Sequence, residues 1–294
     1  MSESQSQAKL RKMGIIRRLI FVAVAVAVIV PYILKPNLPG EPNHWAEEVY
    51  KRVDSLKPGS HMLLAFNFEP SSGAELYPMV RVVLMHSFKK GVIPVLMTHY
   101  TNALNLMKQV IAESAAEARK QWGKEVLPGK DYVFLGYRPG DEMLIVNMGE
   151  NLKGAFDRDM DNRLTQNMPA LKGLNSLRDL DLAMDFASSG TTQMWIAYGS
   201  DKFGFPLVAG TTAVQAPDLY IYLPPSGQLK GFLGGLRGAA DYETLLCRSD
   251  NAAIQGPANK GMPSQSAVHV MLVLLILGAN VRMIYGKFAG KRKV

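Results

Sequence analysis

Cysteine is almost missing from this chain: Cys247 is the only one in 294 residues. No intrachain disulfide can form, and a metal centre built on paired thiolates is excluded. Export compartments permit disulfides without requiring them, so a lone thiol mildly favours a bacterial envelope over a secreted eukaryotic module. The chain also has no Asn-X-Ser/Thr sequon by which a glycosylated surface could be recognised. Phosphate loops of the GxxxxGK[ST] and GxGxxG types, the GxSxG elbow and zinc spacings are all lacking. These absences lower the expectation of an enzyme, and no metal or cofactor is expected.

Long apolar runs, in contrast, are present at both ends. Residues 14–34, GIIRRLIFVAVAVAVIVPYIL, follow a basic head, and about 20 apolar residues at a rise of about 1.5 Å each suffice to cross a hydrocarbon core. Residues 267–285, AVHVMLVLLILGANVRMIY, form a second candidate span, interrupted by His269, Asn280 and Arg282 and followed by Lys287, Lys291, Arg292 and Lys293. Arg282 can snorkel to the interface, and His269 falls near the opposite end. Arg17-Arg18 raises the alternative of a removable export signal. The run ends in Pro31-Tyr32-Ile33-Leu34 with no small-x-small cleavage site, so a retained anchor is the reading.

The formal charge of +8 suggests nucleic acid until it is located. The first 35 residues hold six Lys/Arg, the last 30 hold five, and Glu3 is the only acid in either. Of 33 bases and 25 acids, 22 and 24 therefore remain in the middle, a net of −2. A near-neutral domain does not attract phosphate backbones, so no nucleic-acid partner is expected. Bases flanking both spans on their outer sides place both termini in the cytoplasm and the central domain outside, periplasmic in a bacterium.

The expected division is a cytoplasmic arm (1–13, read as disordered), a first span (14–35), an extracytoplasmic domain (36–246), a linker (247–264), a second span (265–286) and a basic tail (287–294). Pro and Gly in 35–42 read as a stiff spacer. Within the domain, periodicity predicts helices over 41–56, 73–88 and 102–122, alternating with buried strands over 62–68 and 92–98. Further strands are expected over 132–137, 142–148, 194–198 and 219–223. Helices are expected over 177–187 and 228–246, with an irregular insertion over 150–175.

Strand–helix alternation implies right-handed βαβ units. The order resembles the Rossmann-like architecture, which implies a three-layer α/β domain with a mostly parallel sheet and transfers no functional residue.

Parallel sheets bind ligands beyond the carboxyl ends of their strands. That rule selects Glu69, Ser71 and Ser72, then His99, then Asn147, then Asp201 as candidate ligand contacts. Helix capping is the commoner role for Ser71 and Ser72, and a structural role the commoner one for a single histidine. Glu69, His99 and Asp201 would have to converge for a hydrolase or transferase. Finally Gly231, Gly234, Gly235 and Gly238 fall at four-residue spacings in the expected helix 228–246, a smooth face for a sheet, a helix or another subunit. Together these features point to a membrane-anchored assembly subunit of a cell-envelope complex. Its expected partners are membrane lipid and either its own copies or other membrane subunits. An extracytoplasmic ligand-binding or sensory domain is the alternative.

Overall fold

A computed structural model describes residues 3–34, 36, 40–250 and 256–291. It divides into two compact units, Glu41–Asn259 and the two terminal segments. Residues 35 and 37–39 of the expected spacer, the centre of the expected linker (251–255) and the tail residues Arg292 and Lys293 fall outside the described residues.

The terminal unit holds α1 (Glu3–Leu34), which extends through the arm expected to be disordered, and most of α10 (Pro257–Lys291). Both contain helices long and apolar enough to cross a membrane, over Met13–Leu34 and Pro257–Tyr285. Their large side chains are exposed, as lipid-facing helices require. Within this unit the Ser264 hydroxyl donates to the carbonyl of Val28 at 2.8 Å.

The central unit begins with α2 (His44–Ser55), capped by Asn43, whose side chain accepts from the Trp45 amide at 2.8 Å. There follow β1 (His61–Asn67), α3 (Gly73–Lys90), β2 (Ile93–Thr98), α4 (Leu104–Trp122), β3 (Val133–Tyr137) and α5 (Asp141–Ala155). A stretch dominated by short turns leads to β4 (Leu182–Ala187). Then α6 (Thr191–Met194) runs through a π-helical turn, Trp195–Ser200, into α7 (Asp201–Phe203). β5 (Leu207–Thr211), α8 (Ala216–Leu219), β6 (Leu229–Gly234) and α9 (Gly235–Asp250) complete the unit.

All six strands are parallel, in the order β3-β2-β1-β4-β5-β6. The domain is therefore a Rossmann-like α/β fold, with its strand order reversing between β1 and β4. Period-two alternation sends successive residues to opposite faces. One face presents Leu63, Ala65, Val95, Met97, Ala183, Leu207 and Ala209 to α5, with its Leu144, Ile145 and Met148, and to Trp195. The other face meets α3, which in turn packs on α4 and α9, while α2 covers β6. Both faces are covered, which is why β1 and β4 are buried at every residue.

Several sequence expectations are corrected. Residues 142–148 are helical, because Leu144, Ile145, Met148 and Leu152 recur on one helical face despite the β-branched run. The expected helix over 177–187 is the strand β4, entered through a short turn at Leu177–Asp179 whose Ser176 and Asp179 form a capping box. The expected strands over 194–198 and 219–223 are helical turns. The glycine-rich helix over 228–246 is a strand followed by a helix, joined at Gly235, whose φ of +59° is left-handed. The linker over 247–264 is largely helical: α9 continues to Asp250 and α10 starts at Pro257.

Candidate functional site

Where the strand order reverses, the polypeptide leaves β1 and β4 in opposite directions, and a crevice opens at their carboxyl ends. Asn67 ends β1 and points to the same sheet face as Ala65 and Leu63. Its amide donates to Asp185 Oδ1 at 2.7 Å, and its Oδ1 accepts the His99 backbone N–H at 3.0 Å. Thr191 and Thr192 donate to Asp185 Oδ2 at 3.0 and 2.8 Å. One buried carboxylate thus ties β1, β4 and α6 together. Burial pushes the Asp185 carboxyl up to about 6, against the three hydrogen bonds that favour its ionised form.

Beside this network lies a cleft of about 480 Å³, lined by His99 and Tyr100 after β2, Tyr137 and Pro139 to Asp141 around the end of β3, and Ser189 to Thr191 after β4. Its volume is in the range of small-molecule sites. The Tyr100 and Ser189 hydroxyls share a hydrogen bond of 2.9 Å across it.

His99 forms part of the wall. Its side chain is 2 % exposed, and neither ring nitrogen has a hydrogen-bond partner among the described residues. Asp141 Oδ1 lies 3.9 Å from Nδ1, beyond hydrogen-bonding distance. Asp141 itself sits at φ +38°, an uncommon backbone for a non-glycine residue. Burial lowers the His99 pKa, and Asp141 and Glu142 oppose that shift, so the ring is neutral at pH 7, with one donor and one acceptor. Trp195, whose ring centre is 6.0 Å from that of His99, has a buried N–H that also lacks a partner among the described residues. It belongs to the π-helical turn, a distortion that often marks functional sites.

Of the residues chosen from sequence, His99 is the one that lines this cleft. Glu69 is exposed and takes a long 3.5 Å hydrogen bond from Asn102. Ser71 lies in the turn after β1, and Ser72 stands at the N-cap of α3 without a side-chain capping bond. Asn147 is on an exposed face of α5 and ends no strand, because 142–148 is a helix. Asp201 accepts from Gln228 at 2.7 Å, just before β6 begins. That is the amino edge of the sheet, so Glu69, His99 and Asp201 do not form a triad. Sequence reasoning missed Asp185, Thr191, Asp141 and Trp195. The Asp-x-x-x-x-x-Thr-Thr spacing after an apolar run was the available signal for the first two.

The four glycines face inward. A Cβ on Gly231 would stand 3.1 Å from the Trp45 carbonyl oxygen and 3.2 Å from the Val49 nitrogen, so α2 lies directly on the strand. One on Gly238 would meet the backbone of Leu233 at 2.8 Å. Gly234 and Gly235 abut Phe232 and Ala213. Among the described residues, no group of three or more His, Cys, Asp or Glu is placed to hold a metal ion.

Comparison with known proteins adds little. No protein-family model and no curated protein matches the sequence. Among solved structures, a trehalose-6-phosphate synthase (OtsA) aligns with 80 % of this chain and 44 % of its own, at 10 % identity and a TM-score of 0.31. The chain thus spans less than half the length of that protein, and so low a score carries no argument about fold detail or activity.

Proposed function

We propose that the chain is a membrane-anchored ligand-binding protein, its domain held outside the cytoplasm and its site the cleft beside His99. The observation that carries this reading is the buried imidazole, both of whose nitrogens lack a partner among the described residues, at the wall of a cleft of about 480 Å³. An unsatisfied buried polar group costs about 1–3 kcal/mol, and a ligand that supplies the missing partners recovers it. A neutral imidazole suits a small polar molecule offering both an acceptor and a donor, such as a polyol or an amide. The Tyr100, Ser189 and Thr191 side chains extend the same hydrogen-bonding wall.

The full chain in detergent micelles is screened by thermal shift against sugars, nucleosides, amino acids and their amides, alongside His99→Gln and Ser189→Ala. A hit whose stabilisation is lost in either variant supports the site. If no compound shifts the wild type, or the variants respond as it does, the cleft is not the binding site.

The assembly-subunit reading keeps the support of candidate anchors at both ends. It loses the glycine surface, which packs within the domain. A strictly monomeric mass for the purified protein, with no co-purifying partner, would end it.

A further inference from the structure

The connection between β5 and β6 carries an apolar tip that no described residue covers. Val214, Tyr220 and Ile221 are 88 %, 56 % and 71 % exposed, and Pro224 and Pro225 follow in the open. Over 203–229 the sequence has no Lys or Arg and a single acid, Asp218, whose carboxylate takes a hydrogen bond from Gln215. Exposed, charge-poor and aromatic at its centre, this tip has the composition of segments that rest at a membrane–water interface, where tyrosine is enriched.

Its location fits that solvent. Tyr220 lines a cavity of about 210 Å³ together with Ala213, Phe232, Arg237, Asp241 and Asn43. Asn43 is the third residue of the domain, fixed by its backbone N–H to Asp241 at 3.1 Å. Glu41 is held by Arg237, which donates to its carbonyl at 3.1 Å. The apolar tip and the point where the chain joins the domain are therefore neighbours. Only six residues, 35–40, separate Leu34, the end of the first candidate span, from Glu41. Whatever path they take, a residue spans at most about 3.6 Å, so Glu41 stays within about 25 Å of the end of that span. Covalent tethering thus holds the tip in reach of the lipid surface at a high effective concentration.

We infer that Val214, Tyr220 and Ile221 dock into the lipid interface and fix the orientation of the domain on its own membrane. The attraction is apolar. Arg237 is engaged with Asp241 at 2.6 Å, and the tip has no base of its own, so docking does not depend on anionic lipid.

The full chain is reconstituted in phosphatidylcholine vesicles as Ile221→Cys and Lys57→Cys, each in a Cys247→Ser background and nitroxide-labelled. Lys57 is exposed in the turn before β1, at the amino end of that strand. The inference requires Ile221→Cys to show higher collision with oxygen and lower collision with a water-soluble nickel chelate than Lys57→Cys. Equal accessibilities overturn it. Spin–spin broadening at position 221 would show a second copy covering the tip, and dependence on added phosphatidylglycerol would show charge-driven docking. Either result also overturns it. Ile221→Trp with Cys247 retained gives an independent reading: lipids brominated in their acyl chains must quench it beyond the wild-type background from Trp45, Trp122 and Trp195.

Discussion

Asn67 and Asp185 meet side chain to side chain, 2.7 Å apart, across the two strands between which the sheet order reverses. A buried carboxylate with a raised pKa there has a mirror image elsewhere in the domain. His86 on α3 is buried between the Tyr242 hydroxyl at 2.8 Å and the Asp54 carboxylate at 3.3 Å, with Tyr50 stacked on its ring. Burial lowers its pKa to about 4, against the pull of Asp54, and Lys89 and Lys90 add to the lowering.

The two groups make opposite contributions to stability across the same pH window. Asp185 is raised from 3.8 to about 6, so the folded state binds the extra proton and its contribution is lost as pH rises through that interval. His86 falls from 6.5 to about 4, so the unfolded state binds the extra proton and its contribution is lost as pH falls through that interval. Each shift corresponds to about 3 kcal/mol. Relative to wild type, Asp185→Asn becomes progressively more stable as pH rises from 4 to 6, and His86→Gln becomes progressively less stable. Denaturant unfolding at several pH values measures both, and variant curves parallel to wild type would refute the assignment.

Glycine positions give a second set of outcomes. A Cβ on Gly149 would fall 2.0 Å from the Phe203 ring, whereas one on Gly231 would stand 3.0–3.2 Å from α2. Overpacking costs about 1–3 kcal/mol, so Gly231→Ala lowers the unfolding temperature and Gly149→Ala lowers it more. Native mass measurement separates this from an interface role. A change of oligomeric mass at an unaltered unfolding temperature would return Gly231 to the surface of a complex.

Glu243 on α9 accepts the backbone N–H groups of Ala258 and Asn259, at 3.1 and 2.8 Å, at the start of α10. These are donors that a helix N-terminus cannot satisfy internally. Replacing Glu243 by Ala leaves them without that partner and costs about 1–3 kcal/mol. Hydrogen exchange at 258 and 259 accelerates, while the amides of β1 keep wild-type protection. Equal acceleration at both places would mean global rather than local loss.

The proposed topology is tested by fusions. A fluorescent protein that matures only in the cytoplasm is bright at either terminus, and alkaline phosphatase at the same positions is inactive. An active phosphatase fusion at either end would reverse the placement of the domain.

Much of the first half of the fold could be read from residues, and much of the second half could not, for identifiable reasons. β1 is an apolar run set between Pro58-Gly59 and Pro70, β2 an apolar run opened by Gly91, and α3 and α4 end at Gly91 and Gly123 in left-handed conformations. Asp185 disguised β4: a carboxylate in the middle of an apolar strand reads as the polar side of a helix. Glu142 to Met148 misled in the other direction, since a helix with one face in the core can contain a β-branched run. The four glycines span a strand, a tight corner and a helix, and four-residue spacing cannot tell those apart. His99 was legible because it follows a correctly read strand. Its companions on the β4 side were not, because β4 itself was hidden.

The domain takes hold of its incoming and outgoing chain on one element. Glu41 and Asn43 are bonded to Arg237, Asp241 and Arg248, and Ala258 and Asn259 to Glu243, all on α9. A change that unravels this one helix therefore frees both of these attachment points together, the incoming and the outgoing.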